Sequence, residues 1–187
     1  MINTAKDFWK DRRVLITGNT GFKGSWLSLY LLKKKAKVWG FSLKEQSNNN
    51  LFKEIYQNLR ETNSFEFENF SGDINEEKSI FEIIENFQPE IIFHLAAQPL
   101  VIKSYKDPIY TWKTNVIGTM NLLQSCNILK NKCAIVVVTT DKVYENQEWI
   151  YGYRENDRLG GHDPYSASKA ALEICVSSWI KSFLGNR

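Results

Sequence analysis

The sequence predicts an α/β fold: a doubly wound parallel sheet in three α/β/α layers. Three observations predict it. Short apolar, β-branched runs alternate with amphipathic stretches along the chain, the pattern of strand–helix units around a parallel sheet. The first such run passes directly into a turn spaced by Gly18, Gly21 and Gly24 and then into an amphipathic segment. With 187 residues, 43% of them hydrophobic and 24% charged, the chain is large enough for one domain with its own core.

The elements follow in order. Residues 13–17 are a first strand, and a helix from Phe22 to about Lys35 offers Trp26, Leu27, Leu29, Tyr30 and Leu31 as an apolar face. A second strand falls at 37–42, a polar loop at 46–50, a short helix at 51–59 and a third strand at 65–70. A helix opens at Asp73 and runs to Phe87, with Ile80, Phe81, Ile83, Ile84 and Phe87 at helical spacing, and Pro89 ends it. A fourth strand at 91–95, a long helix at 108–129 and a fifth strand at 134–139 follow. A Gly-rich, charged loop spans 141–163, and a last helix starts at Pro164, proline being well placed in a first turn. Crossover rules favour the sheet order 3-2-1-4-5.

Composition narrows the function. A net charge of +3 is too small to argue for nucleic acid. The dense run Lys33, Lys34, Lys35 and Lys37 reads as the solvated C-terminal turn of a helix. Cys126, Cys133 and Cys175 lack disulfide or zinc spacing, so free thiols in a reducing compartment and no metal site are expected. The first 13 residues have no apolar segment of the signal-peptide kind, and no run reaches membrane-span length. A cytoplasmic setting is the expectation.

The glycine turn carries the first chemistry. A chain reversing from a strand into a helix needs glycine's backbone freedom, and a side chain there would block a pyrophosphate. The helix N-terminus then offers free N–H groups and a positive dipole end to phosphates. The spacing is GxxGxxG rather than GxGxxG. No acidic residue for a ribose 2′-hydroxyl stands at the end of the second strand, where Phe41-Ser-Leu-Lys44 lies with Glu45 beyond. NAD and NADP both stay open at that position. Asp73 is placed to approach an adenine, or to cap its helix.

Tyr165 and Lys169 lie four residues apart and share one helical face. A phenol in water is a poor base at neutral pH, but a nearby ammonium and a cationic nicotinamide both favour the phenolate. Tyr30 and Lys34 have the same spacing, yet fall on the first helix, away from any predicted ligand edge. Tyr165 differs because it follows the fifth strand, at the carboxyl edge of the sheet where such folds bind ligands. At the tip of that strand, Thr140 can donate to a substrate oxygen, and Asp141 and Lys142 supply an acid and a potential base.

At these residues the chain resembles the extended short-chain dehydrogenase/reductase superfamily, with its Rossmann-like domain, and within it the nucleotide-sugar 4,6-dehydratases of the CDP-glucose type. The resemblance rests on Thr17-Gly-Asn-Thr-Gly-Phe-Lys-Gly-Ser-Trp-Leu27, Phe93-His-Leu-Ala-Ala-Gln-Pro-Leu100, Thr114-Asn-Val-Ile-Gly-Thr119, Val138-Thr-Thr-Asp-Lys-Val-Tyr-Glu-Asn146, Trp149-Ile-Tyr-Gly-Tyr-Arg-Glu-Asn-Asp157 and Leu159-Gly-Gly-His-Asp-Pro-Tyr-Ser-Ala-Ser-Lys169. Thr140-Asp-Lys142 and the Gly-Gly-His-Asp lead-in to Tyr165 favour the CDP-glucose type over the dTDP-glucose type, which carries Thr-Asp-Glu.

The resemblance implies an NAD-dependent hydro-lyase converting CDP-glucose to CDP-4-keto-6-deoxyglucose, in deoxysugar and cell-surface polysaccharide biosynthesis. It places NAD against Gly18, Thr20, Gly21, Phe22, Lys23, Gly24, Asp73, Ile74, Leu95, Ala96, Ala97, Gln98, Asn115, Thr139, Tyr165 and Lys169. It makes Tyr165 the base at the 4-hydroxyl, Lys169 its electrostatic partner, Thr140 the orienter of the 4-oxygen, Asp141 the acid for the leaving hydroxyl and Lys142 the base at C5. A homodimer built through helices 108–129 and 164–184 is typical of the resembled family. Its members are nearly twice this length, so residues 1–187 are expected to be the NAD-binding, catalytic-residue-bearing domain of a truncated or split enzyme without the C-terminal substrate domain. Such a chain alone is expected to bind NAD weakly and not to turn over. The alternatives are a nucleotide-sugar epimerase or reductase of the same superfamily, and a non-catalytic dinucleotide-binding module.

Overall fold

A computed structural model of the protein describes residues 8–44, 51–62 and 66–184. The loop expected at 46–50, Glu45 and the first seven residues lie outside the described residues. The element order is β1 (Arg13–Thr17), α1 (Phe22–Lys33), β2 (Lys37–Ser42), α2 (Leu51–Thr62), β3 (Phe67–Ser71), α3 (Glu77–Phe87), β4 (Ile91–His94), α4 (Val101–Lys106), α5 (Pro108–Trp112), α6 (Gly118–Ser125), β5 (Ala134–Val137) and α7 (Pro164–Trp179). The five strands are parallel in the order β3-β2-β1-β4-β5, as predicted.

Strand periodicity builds the two faces. Val14 and Ile16 point into one apolar cluster, with Leu31, Leu32, Ala36, Val38 and Ile91. Leu15, between them, points into the other, where Phe41, Ile92 and Leu122 meet Ile80, Ile84 and Phe87 of α3. Both faces of β1 are thus covered, which is why its residues form an unbroken apolar run. Each fully buried aliphatic side chain of this kind stabilises the fold by about 1.5–3 kcal/mol.

The structure departs from the sequence expectation in five places. The buried residues of α1 are Gly24, Ser25, Ser28, Leu31 and Leu32, while Trp26 and Tyr30 are about half exposed at 50% and 51%. The reason is the glycine turn: α1 starts so close to the sheet that only small residues fit its first two turns. Ser25 and Ser28 there donate their hydroxyls to the carbonyls of Gly21 and Gly24, at 2.8 Å each.

Helix α3 begins at Glu77, not Asp73. Asp73 instead accepts the Asn75 amide at 2.9 Å and holds the turn before the helix. The long helix at 108–129 is present but interrupted: residues Lys113–Ile117 form a π-helical turn between α5 and α6, and Cys126–Ile128 tighten to a 3₁₀ turn. Finally, β5 ends at Val137, and α4 fills a stretch read as loop. The three cysteines are free thiols, and no helix among the described residues is long and apolar enough to cross a membrane.

Candidate active site

The sheet order reverses between β1 and β4, and a cleft of about 460 Å³ opens at the carboxyl ends of these strands. Its floor is the turn between β1 and α1. Gly18 there has φ of +73°, and a Cβ would lie 2.7 Å from the Ala96 nitrogen and 2.8 Å from the Leu95 carbonyl carbon. A Cβ on Gly24 would strike the Gly18 oxygen and Asn19 Cα. Two glycines therefore let three backbone segments approach one another. Gly21 caps α1 without a side-chain hydrogen bond, so the first-turn amides face the cleft with no side chain capping them. This arrangement fits the pyrophosphate of a dinucleotide.

Of the residues expected at a dinucleotide, all but Gln98 and Asn115 line the cleft. These two are buried behind its wall. The Asn115 amide accepts the Gln98 N–H at 2.8 Å and donates to Ser168 Oγ at 2.9 Å and the Gln98 carbonyl at 3.3 Å. The π turn aims this side chain between the loop after β4 and α7. The wall also includes Ser42 and Leu43, at the strand end that lacks an acidic residue, with Thr20 Oγ1 donating to Ser42 Oγ at 3.0 Å. Phe41, Gly72, Pro99, Tyr110, Thr114 and Val138 line it too. These were not foreseen: most come from helices and strand ends that only the tertiary fold brings together.

Tyr165 and Lys169 enter the cleft from the first turns of α7, at 9% and 5% exposure. Pro164 starts this helix and Asp163 caps it, accepting the Ser166 amide at 2.9 Å and its hydroxyl at 2.6 Å. Burial pushes the Asp163 carboxyl up, but these bonds and the Tyr165 amide outweigh it and hold it below the usual range, with the Lys142 ammonium adding to the effect. Gly161 seats the preceding loop on the helix, since a Cβ there would press on the Ala167 nitrogen.

Burial pushes Lys169 down to about 8; the Glu173 carboxylate opposes this and Lys23 adds to it. The Lys169 ammonium donates to the Val138 carbonyl at 3.1 Å, which anchors it to the strand end. Glu173, one further helical turn along, accepts the Thr139 hydroxyl at 2.5 Å. The sequence signal for Glu173 was its position four residues beyond Lys169.

Thr140, Asp141 and Lys142 do not line the cleft. They form a tight turn just past it, with Asp141 and Lys142 exposed. Thr140 donates its hydroxyl to Asp141 at 3.0 Å and accepts the Lys142 amide at 3.4 Å. This turn is tied to the lead-in of α7 by the Gly160 N–H to Val143 carbonyl bond at 2.8 Å. Tyr30 and Lys34, the second pair with the same spacing, are remote from the cleft: the Lys34 ammonium sits 5.6 Å over the Tyr30 ring on the outer face of α1.

Comparison with known proteins matches this arrangement. The chain is 46% identical to the CDP-glucose 4,6-dehydratase of Salmonella typhimurium over 95% of its own length and 48% of that protein. It is 33% identical to the dTDP-D-glucose 4,6-dehydratase of Dictyostelium discoideum, over 92% of this chain and 41% of that one. Among solved structures it superposes on DesIV, a dTDP-glucose 4,6-dehydratase from Streptomyces venezuelae with NAD and TYD bound, with a TM-score of 0.77 and 25% identity, over 91% of this chain and 52% of that chain. It also superposes on the Thermus thermophilus UDP-glucose 4-epimerase in complex with NAD, with a TM-score of 0.74 and 27% identity, over 91% of this chain and 51% of that chain. The chain spans about half the length of the curated relatives it matches. The family profile described as GDP-mannose 4,6 dehydratase matches residues 15–184, and with it the fold and the cleft lead to one conclusion: the chain belongs to the GDP-mannose 4,6-dehydratase family.

Proposed function

We propose that residues 1–187 are the NAD-binding and catalytic-residue-bearing part of a CDP-glucose 4,6-dehydratase. The observation that carries this reading is the shared cleft: Tyr165 and Lys169 line the same cavity as the Gly18–Gly24 turn. The identity to a CDP-glucose enzyme and the Thr140-Asp141-Lys142 tip support the substrate assignment.

NAD held by the Gly18–Gly24 turn and the cleft wall would supply a hydride acceptor and, once reduced, a hydride donor. The chain's own groups manage the protons. Tyr165, as phenolate, takes the proton of the 4-hydroxyl, and the Lys169 ammonium favours that phenolate. The new 4-ketone acidifies C5–H, which Lys142, as a neutral amine in the turn just past the cleft, would remove and return to C5 as hydride enters C6. Asp141 hands a proton to the leaving 6-hydroxyl, which departs as water. Thr140 orients the 4-oxygen. In such a cytoplasmic enzyme Cys126 and Cys133 would be inert, because burial pushes both thiols up to about 12.

The test is a mass measurement. The 187-residue chain is incubated with CDP-glucose and NAD, alone and with the C-terminal half of a CDP-glucose 4,6-dehydratase supplied. Dehydration gives a sugar nucleotide lighter by one water, and Tyr165→Phe slows it by about 10²–10⁴-fold. A product of unchanged mass means epimerisation and defeats the dehydratase reading. No product under either condition, with NAD bound, leaves a binding module.

A further inference from the structure

His94 is 2% exposed at the end of β4, and no step proposed above uses it. Its ring bridges two threonines. Nδ1 lies 2.6 Å from Thr17 Oγ1 at the end of β1, and Nε2 lies 2.8 Å from Thr119 Oγ1 on α6.

The neighbouring bonds fix where the hydrogens sit. Thr119 donates its own hydroxyl hydrogen to the Asn115 carbonyl at 2.9 Å, and a carbonyl can only accept. Toward His94, Thr119 must therefore accept, and Nε2 carries the hydrogen. On the other side Thr17 Oγ1 accepts the Ala96 amide at 3.2 Å and gives its hydrogen to a bare Nδ1. The ring is neutral, in a single tautomer. Complete burial and the Lys169 ammonium both oppose a cationic ring.

Two routes lead from His94 to α7, one from its ring and one from its backbone carbonyl. From the ring, Thr119 donates to the Asn115 backbone carbonyl, the Asn115 side-chain amide donates to Ser168 Oγ, and Ser168 donates to the Tyr165 carbonyl at 2.7 Å. Through the backbone, the His94 carbonyl accepts the Val138 N–H at 3.0 Å, and the Val138 carbonyl accepts the Lys169 ammonium. In the opposite direction, Thr17 and Ala96 adjoin the close approach of Gly18 to the Leu95–Ala96 backbone.

We propose that His94 is a positioning residue: its neutral, Nε2-protonated ring fixes the dinucleotide turn relative to the helix that presents Tyr165 and Lys169. The cofactor role of the cleft rests on the function proposed above, whereas the coupling of His94 to Lys169 does not.

The sequence has only two histidines, His94 and His162, so ¹⁵N-histidine NMR of the full chain reads the ring directly. The expected spectrum shows one His94 tautomer, Nε2-protonated, from about pH 5 to about pH 8. His162→Asn assigns the other signal. Thr119→Val removes the acceptor at nearly constant shape. It is expected to weaken NAD binding about tenfold and to displace the Lys169 titration, read by ¹³C-lysine NMR and assigned by its loss in Lys169→Met. Thr119→Ser, which keeps the hydroxyl, is expected to restore both. A purely structural threonine would alter melting alone.

An Nδ1-protonated or cationic His94 overturns the proposal, and this is measured on the unmodified chain whether or not the variants fold. So does a Thr119→Val protein whose Lys169 titration matches that of the parent. If the parent chain binds no NAD, the cofactor reading of the cleft fails, and the Lys169 titration still decides whether His94 positions it.

Discussion

A lysine held at 5% exposure keeps its charge against the preference of its surroundings, and the consequence can be measured. Lys169 titrates at about 8 in the fold against 10.5 for a free lysine. Between those values the unfolded chain binds more protons than the folded one, so stability rises with pH across that window and is lost as pH falls back through it. The expected slope is at most about 1.4 kcal/mol per pH unit. Urea melts of the parent and of Lys169→Met at several pH values check this; the variant should lack the increment.

His94 gives the acidic counterpart. Burial, with Lys169 adding, pushes its ring down to about 3 from 6.5. Its contribution is fully present above about 6.5 and is lost as pH falls from there toward 3. His94→Gln should be less stable at neutral pH yet show a shallower loss in acid. An acid limb as steep as the parent's would mean that carboxylates, not His94, set it.

At the scale of elements, the turn between β1 and α1 was legible because its requirement is local: a strand, a reversal with no room for side chains, then a helix. The structure adds what the turn abuts. Since backbone atoms of Leu95 and Ala96 stand 2.7–3.0 Å from a Cβ on Gly18, and the residue has a positive φ, Gly18→Ala should destabilise the chain by about 1–3 kcal/mol and abolish NAD binding. Gly152→Ala, at a position with open space around it, is the control and should change neither. Equal effects of the two substitutions in melts and NAD titrations would refute the packing argument.

Other elements were less legible for physical reasons. The buried face of α1 is not legible from apolar character, because size decides it. Ser25 and Ser28 are inside owing to their size, and Trp26 is half outside owing to its own. Helix α4 is too short, at 6 residues, to show a period. The π turn at Lys113–Ile117 has no sequence signature, yet it aims Asn115 at α7. Tyr165, Lys169 and the glycines are legible from spacing combined with their place after a strand, which sets Tyr165 and Lys169 apart from Tyr30 and Lys34. The links from Thr17 through His94 to Thr119 join residues 77 and 25 positions apart and exist only in the fold.

For the whole molecule, the sheet order that creates the cleft also leaves β5 at an edge, paired on one side only with β4. Val136 is 45% exposed there, in a short strand with no charge or proline to blunt it. The helices add exposed apolar side chains, among them Ile109 on α5 and Ile174 on α7. An unprotected apolar edge of this kind templates strand pairing, so the 187-residue chain should self-associate in solution. Placing a charge on the edge separates this route from helix packing. Val136→Lys should raise the monomer fraction in sedimentation velocity at fixed concentration, with NAD affinity within about twofold of the parent, because Val136 does not line the cleft. If the oligomer survives Val136→Lys and yields instead to Ile174→Glu, association runs through the helical face and the edge strand is not its cause.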